Sequence, residues 1–468
     1  MTVKEVPRSA LAAVATAALL AVLDGTVVAV ALDSLADSFD ARLDQVVWVT
    51  IAYLLAVASV LPVLSYLTSR FGPRALFVTG MLIFLAGSGL TALSWSVPAL
   101  IGFRVVQGIG GGIVEPTAMT LAAGLAPEGQ MGRVMGVMSM IVNVAPVLGP
   151  LVGGLLLQTG HWQWIFVVNL PLGLLVLGAV LRVTRARMED APQARAGSVA
   201  DVRGLLMLTA GFVGVLFALN RSGESGLSPV VVLTGVVGVL LLAAYAPHAA
   251  RVTRAGRPPA FDLRLLARPG FGASMGVMGL VGLVMFIQLT SLPLFAAQRF
   301  GVSGLEQGVL VSALGIGLLV SMSASGRLSD SIGARPLVAG GAVVTLAGAL
   351  VFVAGHDQLP PTVLYVLFVV VGLGFGATAA PTVAGAFRLL GPGEQAAGTT
   401  ALFMTVQFGA SVGVTLLGLL RTVSPDWVSW LFLIVAGAQL IVLALATRLA
   451  VRQGAVLTSG QPPHFSSS

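Results

Sequence analysis

The chain has 468 residues, of which 57% are hydrophobic and 9% charged, with a net charge of +7 and a mean hydropathy of +0.99. A soluble domain carries about 25% charged residues, so most of this surface must face lipid, and the arginine excess speaks for membrane topology rather than nucleic-acid binding. With no cysteine and four scattered histidines, the sequence excludes disulfides, thiolate sites and metal clusters, and no cofactor is expected.

Apolar runs between polar breaks predict fourteen membrane-spanning helices of about 20 residues each. The first six cover 9–31, 46–68, 75–95, 98–118, 133–157 and 163–183. Two more cover 204–220 and 228–250, and the last six cover 270–295, 306–326, 336–355, 361–384, 397–420 and 427–450. If the N-terminus is inside, 20 Lys and Arg fall on the cytoplasmic side. Only 4 fall outside, namely Arg42, Arg221, Arg299 and Arg421. A wrong span count would scramble that asymmetry, so both termini are expected in the cytoplasm. The first run resembles a signal peptide, but it is long and Asp24 interrupts it, which favours an uncleaved helix. Residues 451–468 read as a disordered cytoplasmic tail. Lys4 is the only lysine, and with the Ala, Gly and Val richness it points to a GC-rich bacterial genome. The expected location is therefore a bacterial cytoplasmic membrane, crossed many times.

The loop Ser65-Tyr66-Leu67-Thr68-Ser69-Arg70-Phe71-Gly72-Pro73-Arg74 has a counterpart 261 residues later, Gly326-Arg327-Leu328-Ser329-Asp330-Ser331-Ile332-Gly333-Ala334-Arg335. Both follow the second helix of a six-helix set. This predicts homologous bundles at 1–183 and 270–450, joined by a linker, 184–269, that carries two extra spans. Arg70, Gly72, Arg74, Gly326, Arg327, Asp330, Gly333 and Arg335 become candidates for a cytoplasmic gate, with arginines pairing to carboxylates or helix C-termini. The plainer alternative is two ordinary tight turns with arginine anchors.

Three charges lie within spans, Asp24, Arg104 and Glu115, and such groups mark ion or substrate pathways. Asp24 lies about 10 Å from the outer end of the first helix and Arg104 about 9 Å into the fourth, so the two can meet if those helices adjoin. A separable pair would act as a proton switch; a fixed pair would only tie two helices together. Glu115 shares a face with Arg104 about 16 Å away, and is open to three readings: a cationic-substrate site, a second proton site, or a group in cytoplasmic water.

Gly108-Ile109-Gly110-Gly111-Gly112 lacks the Lys-Ser/Thr of a phosphate loop and suits close helix packing instead. Pro146, Gly149, Pro150, Gly153 and Gly154 in the fifth span combine kinking with close approach. Asn143, Gln288 and Gln407 are uncharged polar groups that either line a cavity or bond between helices. The methionines of the fifth and ninth spans are read as packing.

Taken in order, these strings resemble the major facilitator superfamily, and in particular its fourteen-helix drug–proton antiporters, over about residues 15–450. Leu23-Asp24-Gly25-Thr26-Val27-Val28-Ala29-Val30-Ala31-Leu32 is similar to the family's first-helix motif, and Trp48-Val49-Thr50-Ile51-Ala52-Tyr53-Leu54-Leu55 to its second-helix opening. Arg104-Val105-Val106-Gln107-Gly108-Ile109-Gly110 matches the fourth-helix motif, and Gly149-Pro150-Leu151-Val152-Gly153-Gly154 the motif associated with antiporters. Trp162-Gln163-Trp164-Ile165-Phe166-Val167-Val168-Asn169-Leu170-Pro171-Leu172-Gly173 follows in family style. Ala29 and Asp33 stand where the family usually has Asn and Pro, and Ser65 and Ser69 where it has Gly and Asp. The resemblance implies an all-α integral membrane protein with two six-helix bundles and two linker spans. It also implies proton coupling at Asp24 and Arg104, antiport of a small-molecule substrate by alternating access, and a monomer whose surroundings are the lipid bilayer. The alternatives are proton-coupled uptake of a small metabolite and a membrane receptor or scaffold that does not transport, in which Asp24 and Arg104 would be dispensable.

Overall fold

The structure, a computed structural model, describes residues 8–28, 31–127, 129–185, 201–226, 228–302, 309–391 and 393–449. Its long helices are α1 (Arg8–Val27), α2 (Trp48–Phe71), α3 (Pro73–Ala92), α4 (Val97–Leu125), α5 (Met131–Leu157), α6 (Asn169–Arg185) and α7 (Val202–Ser225). They continue with α8 (Pro229–Arg254), α9 (Pro269–Phe300), α10 (Val309–Ile332), α11 (Ala334–Gly355), α12 (Pro361–Arg388), α13 (Gln395–Val423) and α14 (Trp427–Ala446). Thirteen have the length and apolarity of a span, and the 27-residue α5 completes the set of fourteen. The predicted tail, Ala29 and most of the segment between α6 and α7 lie outside the described residues.

Helix ends depart from the apolar pattern where proline or weak helix formers intervene. α4 continues through Pro116 to Leu125, and α9 through Pro293 to Phe300. Within lipid an interrupted helix still satisfies its backbone better than an open loop does. α1 ends at Val27, and Leu32–Phe39 forms a separate short helix. Asp24 therefore sits in the last turn of α1, nearer its end than the sequence predicts. The residues that follow it, Gly25 and the β-branched Thr26, Val27 and Val28, hold a helix weakly.

α2 and α3 pack on α4, α1 packs on α5, and α1 and α3 pack on α6. The same pairings recur eight helices later: α10 and α11 on α12, α9 on α13, and α9 and α11 on α14. The repeat extends to single contacts. A Cβ at Gly108, Gly110 or Gly112 would press on the backbones of Tyr53, Phe84 and Val57, respectively. At Gly372, Gly374 and Gly376, 264 residues further on, it would press on Leu314, Gly341 and Leu318. The glycine run that imitates a phosphate loop is thus a packing seam. The two matching loops also share a left-handed glycine, Gly72 at φ +79° and Gly333 at φ +83°.

α7 packs on α2, α13 and its hairpin partner α8. α8 is the most lipid-exposed helix, with 17% of its span buried and Val230, Leu233, Val239 and Leu240 facing outward. The two bundles touch at the arginine-rich end, where Gly132 and Gly136 of α5 meet Gly326 of α10. There Thr120 Oγ1 of α4 also donates to Thr399 Oγ1 of α13, 3.1 Å away. Met135, Met138, Met275 and Met278 are buried in the core.

Candidate functional site

The site lies in the N-terminal bundle, in the half away from the arginine-rich end. Asp24 closes α1, and Arg104 stands about two turns into α4, where the α1–α4 contact brings them together. Arg104 Nη1 donates to Asp24 Oδ2 at 2.5 Å, and both side chains are fully shielded from solvent. Two charges taken out of water cost several kcal/mol each, which the pair offsets only if its remaining hydrogen-bonding capacity is met. Asp24 meets that condition. Its Oδ1 accepts from Gln107 Nε2 at 2.9 Å and from Asn169 Nδ2 at 2.7 Å.

Those amides are positioned in turn. Gln107 is one turn beyond Arg104 and accepts from its Nη1 at 2.8 Å. Asn169 is the first residue of α6. Both donate to Ser88 Oγ of α3 at 3.0 Å, and Ser88 donates to Phe166 O at 3.0 Å. Two helices, α4 and α6, therefore converge on the carboxylate of α1, and α3 braces both amides through Ser88. From α2, Val49 O accepts from Arg104 Nε at 3.4 Å, and the Tyr53 ring lies 4.1 Å from the guanidinium carbon. The Tyr53 hydroxyl donates to Ala21 O at 2.8 Å, which holds α2 against α1. Arg104 Nη2 is buried without a partner among the described residues.

Gln107, Asn169, Ser88 and Tyr53 were not singled out by the sequence. Gln107, Asn169 and Tyr53 lie inside strings that resemble the family's motifs but carried no role of their own there, whereas Ser88 offered no signal. At the repeat positions of Arg104 and Gln107 the C-terminal bundle carries Phe368 and Val371, so this polar site has no charged twin there.

The fifth helix connects this site to the opposite end of the molecule. A Cβ at Gly149 would run into Thr26 Oγ1, and one at Gly153 would stand 3.0 Å from Val27 O. The antiporter-like segment therefore lies against the residues just after Asp24. Gly154 faces open space, and Pro146 and Pro150 lie inside the continuous α5. At its other end, the first turn of α5 is capped by Asp330, which accepts from Gly132 N at 2.7 Å and Arg133 N at 2.9 Å. Arg388 Nη2 of α12 donates to the same carboxylate at 2.6 Å.

Arg70, Arg74, Arg327 and Arg335 form no ion pair among the described residues, and the bridging role falls to Asp330 with Arg388. Ser69, in the matching N-terminal position, donates within its own helix to Tyr66 O. Glu115 is half-buried and makes no hydrogen bond or ion pair among the described residues. Asn143 spends its amide on Ser139 O at 2.8 Å. Gln407 is half-buried, whereas Gln288 is wholly buried with neither amide atom partnered among the described residues.

A family model described as the Major Facilitator Superfamily matches residues 14–281 and 274–464. Among curated relatives, the multidrug resistance protein B homolog of Mycobacterium tuberculosis is 33% identical over 416 residues, covering 87% of this chain and 74% of the relative. The tetracenomycin C resistance and export protein of Streptomyces glaucescens is 30% identical over 421 residues, covering 88% and 76%. The putative multidrug resistance protein MdtD of Serratia proteamaculans is 30% identical over 406 residues, covering 85% and 82%. Two solved structures share the fold at 16% identity and a TM-score of 0.63. The human organic anion transporter MFSD10 covers 94% of this chain and 99% of its own, and the proton:xylose symporter XylE covers 94% and 95%. The chain belongs to the major facilitator superfamily, with its multidrug-resistance type of transporters, and is a transporter rather than an enzyme.

Proposed function

We propose that this protein exports small lipophilic or cationic compounds, drugs or antibiotics among them, across a bacterial cytoplasmic membrane in exchange for protons. The observation that carries the reading is the wholly buried Asp24–Arg104 pair, held by Gln107 and Asn169. A proton arriving from outside neutralises Asp24 and removes its attraction for Arg104. The amides then lose a charged acceptor, and the last turn of α1 is freed to move. Thr26 and Val27 in that turn touch Gly149 and Gly153, so the movement passes into α5. The far end of α5 carries the contact with Asp330, where the bundles meet. α5 is thus a lever between proton site and gate, and the bundles rock around a central cavity. Glu115, an acid with no partner among the described residues, is the group offered to a cationic substrate or a second proton. Multidrug-resistance and antibiotic-export relatives at 30–33% identity support export as the direction.

Inverted vesicles carrying the protein, with an imposed pH gradient, test the reading. Lipophilic cations and neutral antibiotics should collapse the gradient with the wild type and not with Asp24→Asn. Equal collapse in both would keep antiport but remove Asp24 from the coupling step.

A further inference from the structure

The turn that follows α8 is built more firmly than a connection between two spans requires. Gly256, at φ +72°, ends the helix, and Arg257 N donates back to Val252 O at 3.1 Å. Tyr245 of α8 clamps Phe261 from both sides: its hydroxyl donates to Phe261 O at 2.7 Å and accepts from Phe261 N at 2.6 Å. Asp201, which caps α7 through Gly204 N at 2.9 Å, also accepts from Ala260 N at 3.1 Å and from His248 Nε2 at 2.7 Å. One carboxylate and one phenol thus pin the turn to both linker helices. The aliphatic and aromatic side chains of Ala260, Phe261 and Leu265 are buried beneath it.

What this rigid turn presents outward is positive charge. Arg251 and Arg254 lie one turn apart on α8, Arg257 follows the glycine, and Arg264 opens the short helix Arg264–Ala267. All four are exposed and make no ion pair among the described residues, while Arg268 is engaged by Glu394. The one acid in the turn, Asp262, accepts from Arg264 N at 3.0 Å. Exposed apolar side chains stand at the same end of the linker. Leu266 (38% exposed) lies beside Arg264 in the turn, and Val202 (58%) and Leu206 (65%) stand in the first turns of α7, whose cap Asp201 is bonded to the turn. Guanidinium groups matched to phosphate oxygens, beside exposed alkyl surface at a span end, have the chemistry of a phospholipid headgroup site.

We propose that this linker turn is a preorganised binding site for an anionic glycerophospholipid of the cytoplasmic leaflet. The arginines take the phosphate, and Leu266, Val202 and Leu206 lie along the acyl chains. The leaflet rests on the orientation expected from the distribution of arginines in the sequence; the binding itself does not depend on transport.

Native mass spectrometry of the detergent-solubilised protein tests the site, with dioleoylphosphatidylglycerol and dioleoylphosphatidylcholine as probes. The wild type should retain phosphatidylglycerol in preference to phosphatidylcholine. Replacing Arg251, Arg254, Arg257 and Arg264 by Gln should weaken that retention about tenfold or more, and replacing them by Lys should restore most of it. Gel filtration and circular dichroism establish that each variant is folded, because the pinning residues are untouched. Equal phosphatidylglycerol retention by the wild type and the Gln variant would overturn the site. Displacement of the lipid by equimolar inorganic phosphate would overturn the lipid as its ligand. A gradient assay that fails while retention behaves as expected would bear on the transport reading alone.

Discussion

Asp24 and Arg104, 80 residues apart in sequence, meet at 2.5 Å with both side chains closed off from solvent. Because each neutralises the other where water cannot, removing one leaves an uncompensated buried charge. Such one-sided losses cost about 3–5 kcal/mol. Arg104→Gln should therefore lower the thermal midpoint in detergent by several degrees. The double variant Asp24→Asn/Arg104→Gln should be less destabilised than the sum of the two singles. Strict additivity in a thermal-shift series would show that the two residues are not energetically coupled.

Asp330 reaches across the molecule to cap the first turn of α5, where backbone N–H groups favour negative charge. The bonds it accepts from Gly132 N, Arg133 N and Arg388 are charge-assisted and are weakened together if the carboxylate becomes an amide. Asp330→Asn should therefore shift the protein toward the state open at the arginine-rich end. The chain has no cysteine, so Thr399→Cys, buried in the same closed face, gives a clean reporter. Its maleimide labelling should rise several-fold in the Asp330→Asn background. Unchanged labelling would place the latch elsewhere.

The glycines of the antiporter-like segment should not be equivalent. A methyl group at Gly149 meets Thr26 Oγ1, whereas one at Gly154 meets nothing within 4 Å. Overpacking a helix seam costs about 1–3 kcal/mol, and here it would push α5 off the turn that carries Asp24. Gly149→Ala should impair gradient collapse in the vesicle assay proposed above and lower stability, and Gly154→Ala should leave both near wild type. Similar losses in the two variants would point to helix flexibility rather than the α1 contact.

The contrast between what the sequence disclosed and what it hid follows from the kind of signal each residue carries. Asp24 and Arg104 are conspicuous because a charge inside an apolar run has few reasons to be there. The fourteen spans are legible for a similar reason, since lipid demands an unbroken apolar stretch. Gln107, Asn169 and Ser88 were missed because a neutral polar side chain in a membrane helix serves equally well as glue between any two helices. Only the packing of α4 and α6 on α1 brings Gln107 and Asn169 to one carboxylate, and α3, packed on α4 and α6, sets Ser88 against both amides. Asp330 was a gate candidate from its loop, but its partners on α5 lie 197 and 198 residues away in sequence. No local pattern encodes that reach. The His248–Asp201 contact was hidden too, because a histidine near a span end looks like a solvated one.

The clasp beneath the linker turn should give stability a pH dependence of defined sign. Burial by itself would raise the Asp201 pKa. Hydrogen bonds from His248, Gly204 N and Ala260 N, together with the charge of His248, reverse that effect and hold it below the ordinary aspartate value. A carboxylate with a depressed folded-state pKa contributes stability that is fully present above its unfolded value, about 4. That contribution is lost as pH falls through the lower folded-state value. Asp201→Asn should therefore lower the thermal midpoint at pH 7, and the gap to wild type should shrink as pH falls below about 4. Scanning fluorimetry of the two proteins across that range checks both the sign and the window. A gap that stays constant down to the acid limit would mean that the carboxylate's charge plays no part in pinning the turn.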